Sequence, residues 1–115
     1  MIGLYTYRAH VLEVYDADTI TVDIDLGLET WVRGVKVRLY GINAPEVRGK
    51  ERPEGLISRD WLRDRILGKD IVLRTHKDKK GKYGRWLGTV FSHEKEPVSL
   101  NDEMVSKGLA VVANY

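Results

Sequence analysis

Residues 19–26 constrain this chain more than any other stretch: Ile20, Val22, Ile24 and Leu26 alternate with Thr19, Thr21, Asp23 and Asp25. A strict period of two puts neighbouring side chains on opposite sides of an extended backbone, so these residues form a strand with one buried and one wetted face. One-sided strands of this kind belong to antiparallel sheet. Residues 5–15, with Val11, Leu12 and Val14 as their apolar content, supply a partner through the short connection Asp16-Ala17-Asp18. So short a link between two strand patterns predicts a hairpin. Residues 27–34 read as a turn region. A third strand follows, with Val35, Val37 and Leu39 on one side and Lys36, Arg38 and Tyr40 on the other.

Beyond that strand the periodicity changes. Over residues 54–67 an apolar stripe of Ile57, Trp61, Leu62 and Ile66 recurs at helical spacing, with Arg59, Asp60, Arg63 and Asp64 on the wet side. Pro53 suits a first turn and Gly68 a stop. Residues 70–76 and 85–92 read as a fourth and a fifth strand, joined by the basic turn 77–84. Ser99 or Asn101 caps a short helix that runs through Lys107 and ends at Gly108, and residues 109–113 close the chain as an extended apolar segment. The expected class is α+β, mainly β, as a single domain over residues 1–115. Five short strands favour a closed barrel, since closure removes exposed edges. An OB-type five-stranded barrel carries its helix between strands three and four, which is where residues 54–67 fall, and here a short C-terminal helix is added.

Composition bounds the function without giving it. With 115 residues, 43% hydrophobic and 31% charged, the chain is long enough for one core and has the balance of a folded soluble domain. The net charge of +2 does not announce a nucleic-acid binder, so any electrostatic argument rests on where the charges sit. The absence of cysteine excludes a disulfide framework and a thiolate metal site. The first seven residues lack a basic segment followed by an apolar run, so no signal peptide is expected; a cytoplasmic protein and a processed secreted form both fit. No run of about 18 apolar residues is present to span a membrane.

Chemistry concentrates in three places. In residues 38–46, RLYGINAPE, a strand holds Arg38, and a loop stiffened by Pro45 brings an amide, Asn43, and an acid, Glu46. A cation, an oxygen ligand and an acid so close together suit phosphoryl transfer; a solvated strand face followed by an ordinary loop fits equally. Asp16 and Asp18 lie two apart and project to one side, either as a cation site or as turn aspartates capping their own backbone. Lys77, Lys79, Lys80, Lys82 and Arg85 surround Tyr83 in a basic segment that could attract phosphates and stack a base, or could be a solvated turn. Arg85 stands apart because a strand start holds it and its forked donors match phosphate oxygens. His10, His76 and His93 have no zinc-ligand spacing and read as structural or surface residues, and Trp31, Trp61 and Trp86 as packing.

Taken together and in order, Asp16-Ala17-Asp18-Thr19, the 38–46 block, Lys82-Tyr83-Gly84-Arg85 and the 101–113 segment resemble the staphylococcal (micrococcal) nuclease family. The resemblance covers nearly the whole chain. It implies a calcium-dependent endonuclease acting on DNA or RNA, with another divalent ion as an alternative cofactor. Its metal ligands would be Asp18, Asn43 and the main-chain carbonyl of Ala44, supported by Asp16 and Thr19. Arg38 and Arg85 would bind phosphate, Glu46 would activate water, and Lys82 and Tyr83 would contact substrate. Where the family has a second calcium carboxylate this chain has Asn43, which keeps an oxygen but drops a charge, so weaker calcium binding is expected. The loop after Glu46 looks short. A monomer is expected; the family usually continues into a third helix where this chain stops at Tyr115, which leaves an oligomer as the alternative. The competing expectation is an OB-type nucleic-acid-binding module without catalysis, for which Asn43 is the supporting residue. A phosphatase reading of Asp-Ala-Asp-Thr fails, because that chemistry needs a larger parallel α/β domain.

Overall fold

The computed structural model of the chain describes residues 4–80, 85–93 and 95–113, with the backbone alone for 77–80. Its elements are β1 (Thr6–Asp16), β2 (Thr19–Gly27), β3 (Thr30–Leu39), β4 (Ile42–Asn43), α1 (Arg52–Ile66), β5 (Asp70–Lys80), β6 (Trp86–Phe91), α2 (Leu100–Ser106) and β7 (Val111–Val112). Five strands close a barrel in the order β1-β2-β3-β6-β5. The pair β3–β6 is parallel, with Arg38 opposite Leu87, while the other barrel pairs are antiparallel. Helix α1 falls between the third and fourth barrel strands, so the OB-type expectation holds. The barrel interior is filled by Val11, Val14, Ile20, Val22, Val37, Leu39, Leu73 and Val90, with Leu62 and Ile66 of α1 and Met104 of α2 covering it. Among the described residues no helix is long and apolar enough to cross a membrane.

The alternation in β2 breaks at its far end. Leu26 is 48% exposed, whereas Asp23, expected on the wet face, is only 8% exposed. The β2–β3 register shifts between Val22 and Ile24. Around that irregularity the Asp23 carboxylate accepts bonds from the Gly34 amide (2.9 Å) and from Arg33 Nη1 (3.0 Å). Gly34 takes a positive φ of 64°, the left-handed conformation that glycine supplies at a bulge. The expected turn 27–34 is therefore mostly strand: β3 begins at Thr30, and the reversal is confined to Leu28 and Glu29, with φ of 55° and 61°. Positive φ at both turn positions matches the right-handed twist of a two-residue hairpin, but Leu and Glu are not the residues that advertise it.

The Gly34 amide, ahead of the Arg33 pairing, holds the Asp23 carboxyl below the usual carboxylate range. A carboxyl whose pKa is lowered by folding stabilises the fold above its unfolded value, and that contribution is lost as pH falls through the folded value. Asp23→Asn is therefore expected to melt lower than wild type at pH 7, with the gap closing toward pH 3. A gap independent of pH would assign the effect to packing instead.

Two further differences concern the helices. The buried face of α1 is Gly55, Ser58, Leu62 and Ile66, while Ile57 is 63% exposed and Trp61 lies half-buried under the Arg65 guanidinium, 3.8 Å from its ring. The helix starts at Arg52, with Pro53 in its first turn, and turns a glycine rather than an isoleucine toward the preceding loop. At α2, Ser99 is the cap, its Oγ accepting from the Asp102 amide at 3.0 Å. Asn101 is buried for another purpose. Its Oδ1 accepts from the Val90 amide, and its Nδ2 donates to the carbonyls of Tyr40 and Gly88, tying α2 to β6 and to the end of β3.

Candidate active site

The β1–β2 hairpin reverses through Ala17, which is fully buried and anchors the turn in the core. The Asp18 amide donates to Asp16 Oδ1 at 3.0 Å, so Asp16 does cap the turn. That frees Asp18 for a different task. Its Oδ2 accepts from the Ala44 amide at 2.8 Å and lies 2.9 Å from Arg38 Nη1, while its Oδ1 accepts from the Thr19 hydroxyl at 3.1 Å. The register Thr19↔Arg38 across β2–β3 sets the arginine beside this turn. Arg38 Nη2 donates to Asn43 Oδ1 as well. Arg85 enters just before β6, and its Nη1 donates to Thr19 Oγ1 at 3.1 Å.

The loop that leaves β3 is pinned at both ends. Ile42 and Asn43 pair with Val112 and Val111, and the Ala113 amide donates to the Gly41 carbonyl at 2.8 Å. Further on, the chain passes so close to α1 that a Cβ at Gly55 would collide with the Glu46 carbonyl and lie 2.9 Å from that of Pro45. Glu46 thus sits on a loop clamped between a strand pair and a helix.

Asp16, Asp18, Thr19, Arg38, Asn43, Ala44, Glu46 and Arg85 all line one cleft of about 640 Å³. Lys82 and Tyr83 lie outside the described residues. Tyr15, Glu51 and residues 108–111 also line the cleft, and no chemical pattern in the sequence marked them. Glu51 Oε1 lies 3.5 Å from the Glu46 amide, so a second acid stands beside the first. Gly55 left one trace in the sequence, a glycine inside a helical pattern, which costs about 1 kcal/mol against alanine.

Carboxylates dominate the electrostatics of one wall. The Asp16 carboxyl is pushed up to about 7, first by burial, then by its hydrogen bond to and the charge of Asp18, with Glu46 adding a little. The Asp18 amide pulls in the opposite direction. The oxygens of Asp18 and Asn43 fit in kind a hard divalent cation such as calcium, which takes six to eight oxygen ligands. Among the described residues no three His, Cys, Asp or Glu side chains could hold a metal by themselves. A cation here would complete its shell from main chain, water or phosphate. It is the amide of Ala44 that points at Asp18.

The hairpin, the strand end and the following loop of a closed OB-type barrel thus gather two arginines and several acids in one cleft. The sequence pattern of the staphylococcal nuclease homologues matches residues 36–115, and the chain belongs to that family. The matched stretch contains Arg38, Asn43, Ala44, Glu46 and Arg85, while Asp16, Asp18 and Thr19 precede it and join the site only through the fold. An uncharacterized protein of Methanocaldococcus jannaschii is 24% identical over 92% of this chain and 59% of its own length. An uncharacterized protein of Bacillus anthracis is 29% identical over 96% of this chain and 50% of its own length. The chain thus spans about half the length of these curated relatives.

Proposed function

We propose that this domain hydrolyses phosphodiester bonds in DNA or RNA with the help of a divalent cation, calcium first among them. The observation that carries the reading is the convergence of Arg38, Arg85 and Glu46 on the cleft that also holds Asp18 and Asn43. Asp18, Asn43 and the main chain at Ala44 would hold the cation, which when bound polarises a phosphate oxygen. The two guanidiniums, rigidly based on β3 and at the start of β6, place forked donors where a phosphate's non-bridging oxygens gather charge in the transition state. Glu46, on its clamped loop, takes the proton from the attacking water. Asp16, Asp18 and Glu46 bring three carboxyl groups to the cleft, the kind of oxygen donor a hard divalent cation takes.

A second reading has its own observation. Asn43 supplies no charge to a cation, and its Oδ1 is engaged by Arg38, as suits a module that binds nucleic acid without cutting it. The deciding experiment incubates the protein with single- and double-stranded DNA and with RNA, in calcium, in other divalent ions and in chelator. Cation-dependent cleavage is expected. Binding of any of these polymers with no cleavage in any ion would establish the binding module instead.

A further inference from the structure

Both arginines of the cleft are tied to one carboxylate. Arg38 reaches Asp18 directly, with Nη1 2.9 Å from Oδ2 and 3.3 Å from the Asp18 carbonyl, and spreads its other amino group to Asn43 Oδ1. Arg85 reaches it in two steps, through Nη1 to Thr19 Oγ1 and the Thr19 hydroxyl to Asp18 Oδ1, each 3.1 Å. The polarity of this chain is consistent. A hydroxyl has one hydrogen to give, and giving it to Asp18 leaves its lone pairs for Arg85. The Arg38 and Asp18 side chains are only 11% and 10% exposed, so the pair is shielded from the solvent that weakens surface ion pairs.

We propose that Asp18 is a lock on Arg38, closed while the guanidinium holds the carboxylate and opened when a cation takes that carboxylate. This rests on the reading above, that the cleft takes a divalent cation and a phosphodiester. The seat between Asp18 and Asn43 already holds one positive charge, the Arg38 guanidinium. A guanidinium engaged on a carboxylate and an amide has fewer N–H groups left to turn toward a phosphate. A cation at Asp18 supplies the charge in its place, and Arg38 swings to the substrate. Cation and nucleic acid then strengthen each other's binding, by a coupling that is reciprocal. Asn43 in place of a carboxylate suits this device, because the arginine holds an amide less firmly than it would a second acid.

The lock is testable without any metal. In chelator, a single-stranded phosphorothioate oligonucleotide is titrated against wild type, Asp18→Asn and Glu46→Gln, with binding read by fluorescence anisotropy. Glu46→Gln removes a charge from the same cleft and should tighten binding by about two- to threefold, as one solvent-screened charge does. Asp18→Asn should tighten it by about tenfold or more, because it also removes the ion pair that draws Arg38 away from a phosphate. Equal effects of the two variants would overturn the lock. Arg38→Gln guards against misfolding of Asp18→Asn: without nucleic acid, it should bind calcium about tenfold more tightly than wild type by calorimetry. Weaker or equal calcium binding by Arg38→Gln overturns the competition for Asp18. Should calcium bind neither protein while Asp18→Asn still tightens the oligonucleotide, the lock stands, and its calcium trigger falls together with the calcium part of the proposed function.

Discussion

Glu46→Gln should slow single-turnover cleavage by about 100- to 10,000-fold, the range general-base catalysis commands, while leaving the circular dichroism spectrum unchanged. The amide is nearly isosteric with the acid, so the loop clamped against Gly55 has no reason to move. What is lost is a site for the water's proton. The comparison that gives this result meaning is Glu51→Gln, because Glu51 lines the same cleft and its Oε1 lies 3.5 Å from the Glu46 amide. If Glu46 handles the water, Glu51→Gln should cost far less. A large loss on Glu51→Gln with near-normal cleavage by Glu46→Gln would hand the role to the neighbour. Losses too small to separate from wild type in both would remove a carboxylate base from the mechanism altogether.

The barrel was legible in the sequence because its strands obey a two-residue period over most of their length, and because Gly68 and Gly108 end helices where glycine ends helices, each at positive φ. It became illegible where the backbone took an unadvertised conformation. Leu28 and Glu29 turn the β2–β3 hairpin with positive φ that neither residue favours, so the sequence could not mark the reversal. Asp23 is covered only because Arg33 and Gly34, ten and eleven positions on, wrap it at the register shift. A local pattern holds no such information. The candidate site divides the same way. Arg38, Glu46 and Arg85 stood out by residue type within short blocks. The relay from Arg85 through Thr19 to Asp18 needed the fold, since its members are 66 residues apart and meet only across the strands. Glu51 and Tyr15 were silent for a simpler reason: they line the cleft by position, and nothing in their types or spacing marks them as part of a site.

Gly55→Ala should destabilise the domain and cut its activity, although alanine is the better helix former by about 1 kcal/mol. At an exposed mid-helix position that gain would be realised. Here the new methyl would collide with the Glu46 carbonyl, and the Pro45 carbonyl stands 2.9 Å away. Those are backbone atoms, and the loop that carries them is tethered upstream by the pairing of β4 with β7, so neither side can give by a side-chain turn. Overpacking of this kind costs about 1–3 kcal/mol, enough to reverse the propensity gain and give a lower melting temperature. Activity should fall further than stability accounts for, because α1 can accept the methyl only by pushing Glu46 out of place, and a displacement of about 1 Å in a catalytic group can cost 100-fold. Gly88→Ala is the matched control. Its added methyl would meet Leu73 Cδ1 at 2.7 Å and Val37 Cγ1 at 3.0 Å, side chains packed inside the barrel and not the backbone of the loop that carries Glu46. That variant should lose some stability and keep most of its activity at temperatures well below its melting point. Gly55→Ala melting at or above wild type would mean that α1 does not rest on the loop, and the clamp on Glu46 would have to be abandoned.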